Sequence, residues 1–476
     1  MRRQLAGILI PSAMAVLGFA LIALWIGQWS TTRLEARVPG LDKVPPAGPA
    51  KAASRPVPGQ PILSGGQPSP IAGDWPCFRG ADHDAISKEK TPLARHWPAG
   101  GPKRLWTVKL GEGFAAAAVS AGRVYVLDHV RDAPPNGPDR SADTMRCLSL
   151  GDGREIWRNS YPVVVPPHHG MSRTIPAVVG KYVVSLGPLC QVACWDAQSG
   201  KANWLMDLVL DYGATVPPWY AGQCPLVDAV TDRLILAPGG RALLVAVDYR
   251  SGKVIWESPN PHGWTMTHVS IVPMDFAGRR MYVYCGNGGV AGVDATDGKI
   301  LWDTSDWQIS VATCPSPVVI GDGRIFFSGG YNAGALMLKV EDRGGSLVAN
   351  TLWRLTARQF GSEQQTPILF DGHLYGIRQH DQKLVCLDLQ GKELWNSGRD
   401  KFGSAPYLIA DGLIYAMNDD GMLLMAEATP GGYRPLGRAQ VIDDGVTCWG
   451  PMALVAGRLI VRDLTRMTCL DVAEKQ

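Results

Sequence analysis

Five of the nine histidines, His129, His168, His169, His262 and His268, lie between residues 104 and 302 of this 476-residue chain. Four of them fall in short segments that mix aromatic, polar and proline residues. These read Pro166-Pro-His-His-Gly-Met-Ser-Arg173 and His262-Gly-Trp-Thr-Met-Thr-His268. Three related segments are Pro217-Pro-Trp-Tyr-Ala-Gly-Gln-Cys224, Gln359-Phe-Gly-Ser-Glu-Gln-Gln365 and Thr447-Cys-Trp-Gly450. An imidazole can ligate a metal or exchange a proton near neutral pH. A guanidinium such as Arg173 pairs a carboxylate through two parallel hydrogen bonds. Trp219 and Trp264 offer flat faces for a planar ligand. If this chain binds a small molecule, the candidates are His168, His169, Arg173, Trp219, His262, Trp264, His268 and Gln364. No ligand spacing of a known metal type is present, so the plainer expectation is polar loop residues and aromatic plugs. No catalytic residue and no metal ligand is assigned. There is no Gly-x-Ser-x-Gly for a hydrolase and no Cys-x-x-Cys-His for covalent haem.

The elements that carry these segments repeat. A short apolar strand, an acidic turn, Gly-Lys or Gly-Arg and then Trp recur along the chain. Examples are Ala193-Cys-Trp-Asp-Ala-Gln-Ser-Gly-Lys-Ala-Asn-Trp204, Ala246-Val-Asp-Tyr-Arg-Ser-Gly-Lys-Val-Ile-Trp256, Gly292-Val-Asp-Ala-Thr-Asp-Gly-Lys-Ile-Leu-Trp302 and Cys386-Leu-Asp-Leu-Gln-Gly-Lys-Glu-Leu-Trp395. The copy from Cys147 to Trp157 keeps Gly153 and Arg154 but has Ser149 in place of Asp. Tryptophans at 106, 157, 204, 256, 302, 353 and 395 mark a period of 42 to 52 residues. Short strands at such a period define a β-propeller with about four strands per blade. The aspartates are expected to bond their own turns, and glycine to accept the positive φ there. The tryptophans are expected to seal the seams between blades.

Eight central hairpins follow the same pattern, beginning at Arg123, Lys181, Arg233, Arg280, Arg324, His373, Leu413 and Arg458. The eighth lacks a following outer strand, and Arg104-Leu-Trp-Thr-Val-Lys-Leu110 supplies one. The expectation is therefore an all-β, eight-bladed propeller closed by an N-terminal strand, which leaves no open sheet edge in the ring. Seven blades is the alternative, because the units around Glu341–Asn350 and Thr429–Tyr433 are irregular.

Ahead of the ring, Met1-Arg-Arg is followed by an uncharged run from Leu5 to Trp29. Its length of about 25 residues suits a bilayer span more than a cleaved signal. Residues 1–30 are read as a transmembrane signal anchor with a cytoplasmic N-terminus. Residues 31–73, rich in Pro, Ala and Gly, read as a tether, and 74–476 as the propeller. This places the propeller in the periplasm of an inner-membrane, single-pass protein. The net charge of +3, with both signs interspersed, gives no nucleic-acid footprint. Of ten cysteines, Cys147, Cys194, Cys386 and Cys469 share one repeat position with Ala246 and Gly292, as small buried residues would. Cys190 and Cys194 are near enough in sequence to pair across a hairpin.

The Asp-x-x-[Ser/Asp]-Gly-Lys-x-x-Trp pattern resembles the tryptophan-docking repeat of the pyrroloquinoline quinone (PQQ) propeller superfamily. The resemblance runs from about Asp74 to the C-terminus. Asp74-Trp-Pro-Cys-Phe-Arg-Gly80 is similar to the lead-in of planctomycete-type PQQ-like propeller proteins. The superfamily holds quinoprotein alcohol dehydrogenases and also a non-catalytic periplasmic propeller of the outer-membrane protein assembly machine. The dehydrogenases are expected to carry an adjacent-cysteine disulfide beside the quinone and a Glu, Asn and Asp calcium set with a further Asp as base. No adjacent cysteines exist here, and none of those four residues has a motif-supported counterpart. The resemblance thus implies a membrane-tethered scaffold that binds envelope or membrane proteins, with no cofactor and no chemistry of its own. The alternative is a PQQ- and calcium-dependent oxidoreductase with a rearranged site.

Overall fold

The computed structural model describes residues 14–25, 54–132, 139–165 and 172–475. Residues 53–476 form one compact unit and 1–52 another. In the first, 14–25 are helical, and among the described residues no helix is long and apolar enough to cross a membrane. The remainder of the expected span, like tether residues 31–53, lies outside the described residues.

In the second unit the chain folds into eight antiparallel four-stranded blades. Blade 3 is representative, with strands Leu226–Asp228, Arg233–Leu236, Ala242–Val247 and Val254–Pro259 in order from the axis outward. Every residue of Ala242–Val247 is buried, as a sheet covered on both faces requires. The outermost strand alternates exposed and buried positions because successive side chains point to opposite faces and one of those faces meets water. Blade 8 is built from Gly450–Val455, Arg458–Arg462 and Arg466–Asp471, and its outer strand is Lys103–Lys109 from the N-terminal side. The closure expected from the missing eighth strand is therefore present, with Trp106 opposite Cys469. The irregular fifth unit is a long hairpin, Gly334–Arg343 with Ser346–Leu355. In the seventh, the Tyr433 ring packs at a tilt against Trp395, centroids 5.7 Å apart. Both units are full blades, so the ring has eight.

The repeated turn chemistry is as expected. Asp196 Oδ1 accepts from the amides of Gln198 and Ser199, and Gly200 takes a φ of 72°. Trp106, Trp157, Trp204, Trp256 and Trp395 each donate from Nε1 to a carbonyl in the next repeat, at Leu150, Ala197, Tyr249, Ala295 and Thr429. Trp302 differs, directing its N–H at the Met281 thioether Sδ (3.3 Å) within its own blade.

Around the axis, the amide of one innermost strand donates to a side chain of the next blade. Ile175 N donates to Cys224 Sγ (3.3 Å), Cys224 N to Ser270 Oγ (3.0 Å), Ser270 N to Ser316 Oγ (3.3 Å) and Ser316 N to Thr366 Oγ1 (2.9 Å). This belt ties blades 2 to 6 where the parallel inner strands cannot pair directly. On the other side, buried Arg462 of blade 8 donates to the carbonyls of Gly111 and Ala115, which lead into blade 1.

The N-terminal segment contributes more than the closing strand. Ile62–Leu63 add an antiparallel strand to the outer edge of blade 1, within the stretch read by composition as tether. Residues Trp75–Ser87 then run through one end of the channel. Trp75 pairs with Val119 of blade 1, Pro76 O accepts from Val178 of blade 2, and Phe78 packs on Cys224 beside blade 3. Arg79 reaches Thr366 O and Pro367 O leading into blade 6, and Ile86–Ser87 pair in parallel with Ile409–Ala410 of blade 7. The channel is stoppered at that end.

Candidate functional site

The opposite end of the channel is lined by the segments that lead into each innermost strand. Their common register is visible in a repeated residue–proline step, Ile175-Pro176, Cys224-Pro225, Ser316-Pro317, Thr366-Pro367, Ala405-Pro406 and Gly450-Pro451. Proline fits here because an innermost strand has no inward neighbour that needs its N–H. Two residues before this step, or before Ser270 in blade 4, the register places Arg173, His268, Cys314 and Gln364.

Arg173 lies over the Phe114 ring at 5.4 Å, and Phe114 in turn meets Trp449 at 5.1 Å. Burial pushes the guanidinium down to about 10, with Cys314, Tyr220 and Tyr331 close enough to act on it in the opposite sense. His268 stands 6.5 Å from Trp219, ring to ring. Burial and then the Arg173 charge push its imidazole down to about 3, so it is neutral at physiological pH. Burial also pushes the Cys314 thiol up to about 12, which keeps it protonated. On the far side of the mouth, Glu363 Oε2 accepts from Ser404 Oγ (2.8 Å). Asp419 Oδ1 accepts from Trp449 Nε1 (2.8 Å) and from Ser404 N (3.0 Å), and burial raises its carboxyl.

Of the eight candidates, Arg173, Trp219 and His268 are brought together at this mouth, and Gln364 shares their register. Trp219 reaches its place through a left-handed backbone, φ 59°. His262 and Trp264 stack on one another at 5.0 Å but sit over blade 4, where His262 Nε2 meets Asp303 Oδ2 (3.2 Å) on the outermost strand. Trp264 is packing: it covers Gly286, Gly288 and Gly289, where an added Cβ would come within 2.9 Å of its side chain. His168 and His169 lie outside the described residues. His129 is buried against Asp143, Nδ1 to Oδ1 2.8 Å, between blade strands. Cys190 and Cys194 are both free, and Cys190 Sγ lies 3.7 Å from Met266 Sδ instead. The mouth residues that sequence patterns did not single out are Phe114, Cys314, Tyr331, Glu363, Ser404 and Asp419. The residue–proline register was the available signal for Cys314, Glu363 and Ser404, whereas Tyr331 and Asp419 lie in turns between later strands of their blades.

Among the described residues, no group of three or more His, Cys, Asp and Glu side chains is placed to hold a metal ion. What the mouth offers is a set of aromatic rings, one guanidinium, a neutral imidazole and carboxylates that already have donors.

The fold and this mouth define a propeller of the tryptophan-docking class. Residues 96–206 and 141–397 match the family described as outer membrane protein assembly factor BamB, and the chain belongs to this PQQ-like propeller family. Among solved structures it is similar to BamB from Moraxella catarrhalis, with a TM-score of 0.51 and 14% identity over 78% of this chain and 99% of that one. It is also similar to the computationally designed Ika8 protein, with a TM-score of 0.50 and 10% identity over 77% and 99% of the two chains. A europium-containing methanol dehydrogenase aligns with a TM-score of 0.44 and 14% identity over 82% and 89%. No curated protein matches the chain.

Proposed function

We propose that this chain is a membrane-tethered propeller that docks other proteins in the cell envelope at its channel mouth, without chemistry of its own. The observation that carries the reading is the state of the mouth. Aromatic rings from several blades, Phe114, Trp219 and Trp449 among them, gather at the mouth, where Glu363 and Asp419 already accept hydrogen bonds. Such a surface suits a protein partner, since aromatic and arginine side chains dominate interface energetics. The family's description as an outer membrane protein assembly factor supports the same reading. The uncharged run from Leu5 to Trp29 supplies the anchor in this proposal, with the propeller in the periplasm.

The second reading, a PQQ- and calcium-dependent oxidoreductase, draws on the approach of Arg173, His268 and Trp219. Arginine and a flat ring suit a planar polycarboxylate. The donor set does not fit it: Cys314 has no adjacent cysteine, the mouth carboxylates Glu363 and Asp419 accept from neutral donors, and among the described residues no three His, Cys, Asp or Glu side chains are placed to hold a cation. No step through a quinone is derived.

The deciding experiment places a photo-crosslinking residue at Trp219 in the full chain, with Val254 on the outer rim as control. Adducts with one envelope protein at Trp219 and not at Val254, lost on Arg173→Glu, support docking at the mouth. Calorimetric binding of PQQ with calcium, accompanied by alcohol-dependent dye reduction, would replace the scaffold reading with the oxidoreductase.

A further inference from the structure

The segment that closes the channel is held in an unusual way. Within seven residues, Arg79, His83 and Ala85 adopt left-handed backbone conformations, with φ of 64°, 59° and 60°. Non-glycine residues avoid this region, and clusters of them persist where a switch or a strained loop is held by its surroundings. Arg79 sits in the channel with Nε on His83 O, Nη1 on Thr366 O, and Nη2 on Asp84 O and Pro367 O. Its partners are thus carbonyls, and none of the ion pairs among the described residues includes it. Burial accordingly pushes its guanidinium down to about 10. His83, three residues beyond Gly80, points Nδ1 at Cys77 Sγ (3.6 Å) and lines a small cavity with Cys224, Ser270 and Ser316.

We propose that residues Trp75–Ser87 are a releasable stopper of the channel, with the His83 imidazole as its proton-sensitive latch. The charged groups that face His83 are few. Its own segment brings Arg79 and Asp82, and blade 3 brings Asp228. Asp228 is already committed to Arg280, at 2.8 Å from both Nε and Nη2, and to Tyr282 Oη, also at 2.8 Å. The cavity walls contributed by the segments leading into blades 4 and 5, Ser270 and Ser316, are uncharged. A proton on His83 therefore places a second cation beside Arg79 in a poorly solvated channel. Burial lowers the His83 affinity for protons in the docked state. Docking is then complete above the ordinary histidine range and weakens as pH falls through it. Release leaves the channel open from the mouth to the opposite face.

Hydrogen exchange of the full chain at pH 7.5 and 5.5, corrected for intrinsic rates, tests this. A buried neutral histidine with an ordinary solution value near 6.5 gives about a tenfold rise in the opening constant across that interval. The rise is expected in peptides covering 75–87 and not in Tyr182–Leu186 of blade 2. It disappears in His83→Gln. Equal change in both regions, or a rise that survives in His83→Gln, overturns the proposal. Should that variant fail to fold, the unmutated chain supplies a second readout. A dithiodipyridine reagent, which reacts with thiols in acid, should label Cys77 at pH 5.5 well ahead of Cys147, which is buried in blade 1. Labelling at the same rate overturns it as well.

Discussion

The indole Nε1 of Trp157 donates to the carbonyl oxygen of Ala197, in the following blade, at 3.1 Å. The same carbonyl accepts from Tyr125 Oη, also at 3.1 Å. Trp157 is fully buried, and its ring covers Gly200, where an added Cβ would lie 2.4 Å from Cε3. One tryptophan thus joins its own blade to the turn of the next, through area, one hydrogen bond and a glycine that nothing larger can replace.

Trp157→Ala should therefore destabilise the ring by about 3–5 kcal/mol, the usual cost of removing a buried large aromatic. Trp157→Phe should lose less, and Gly200→Ala should be damaging because it adds both the clash and a φ of 72° to an L side chain. Urea denaturation followed by far-UV circular dichroism gives the ranking. Equal stability of Gly200→Ala and the parent would refute the seam as described.

Ring closure makes a second expectation. Lys103–Lys109 pair along the whole of Arg466–Asp471, and Arg104 forms an ion pair with Asp443. Removing residues 1–53 leaves this strand and the stopper in place, so the remaining chain should elute as a monomer of unchanged thermal stability. Removing 1–110 exposes the edge of Arg466–Asp471, a template for pairing with another chain. Size-exclusion chromatography should then show oligomers or aggregate. A monomeric, equally stable product would contradict the closure.

The parts legible from sequence were those made by neighbouring residues. Asp196, Gly200 and Trp204 lie within nine residues of each other, so turn and seam chemistry repeated as a readable pattern. The blade count followed from the hairpins, and the long Gly334–Arg343 hairpin only obscured it. The mouth was legible in part. Arg173, Trp219 and His268 come from three repeats and meet only through the ring's curvature, so their chemistry gave no motif. Glu363 and Asp419 look like ordinary loop acids until Ser404 and Trp449 are seen beside them. The stopper was not legible, because Arg79 bonds backbone carbonyls nearly 290 residues away and carbonyls leave no mark in composition.

His268 supplies a pH expectation with a definite sign. Its folded value, pushed down to about 3, lies below the ordinary histidine value of about 6.5. The unfolded chain therefore binds the extra proton first, and stability falls as pH drops from about 6.5 towards 3. Comparing urea midpoints at pH 7 and 4.5 should show this fall in the parent. His268→Gln, which cannot take the proton, should lessen it, with buried His83 accounting for part of what remains. An identical pH dependence in the variant would mean that His268 is not the group responsible.

The belt around the axis gives the last test. Ser316 N donates to Thr366 Oγ1 at 2.9 Å, and both residues are buried. Thr366→Val keeps the shape and removes the acceptor, so a buried amide loses its partner at a cost of about 1–3 kcal/mol. Thr366→Ser keeps the oxygen and should cost much less. Replacing Ser316 with Cys is the informative control, because Cys224 already holds the equivalent position and its sulfur accepts from Ile175 N. If the belt is what couples blades 2 to 6, Thr366→Val should raise amide exchange at Ser316 and in the blade 5 strand Val318–Gly321 before it affects blade 1. Uniform loosening of every blade would instead mean that Thr366 acts through overall stability alone.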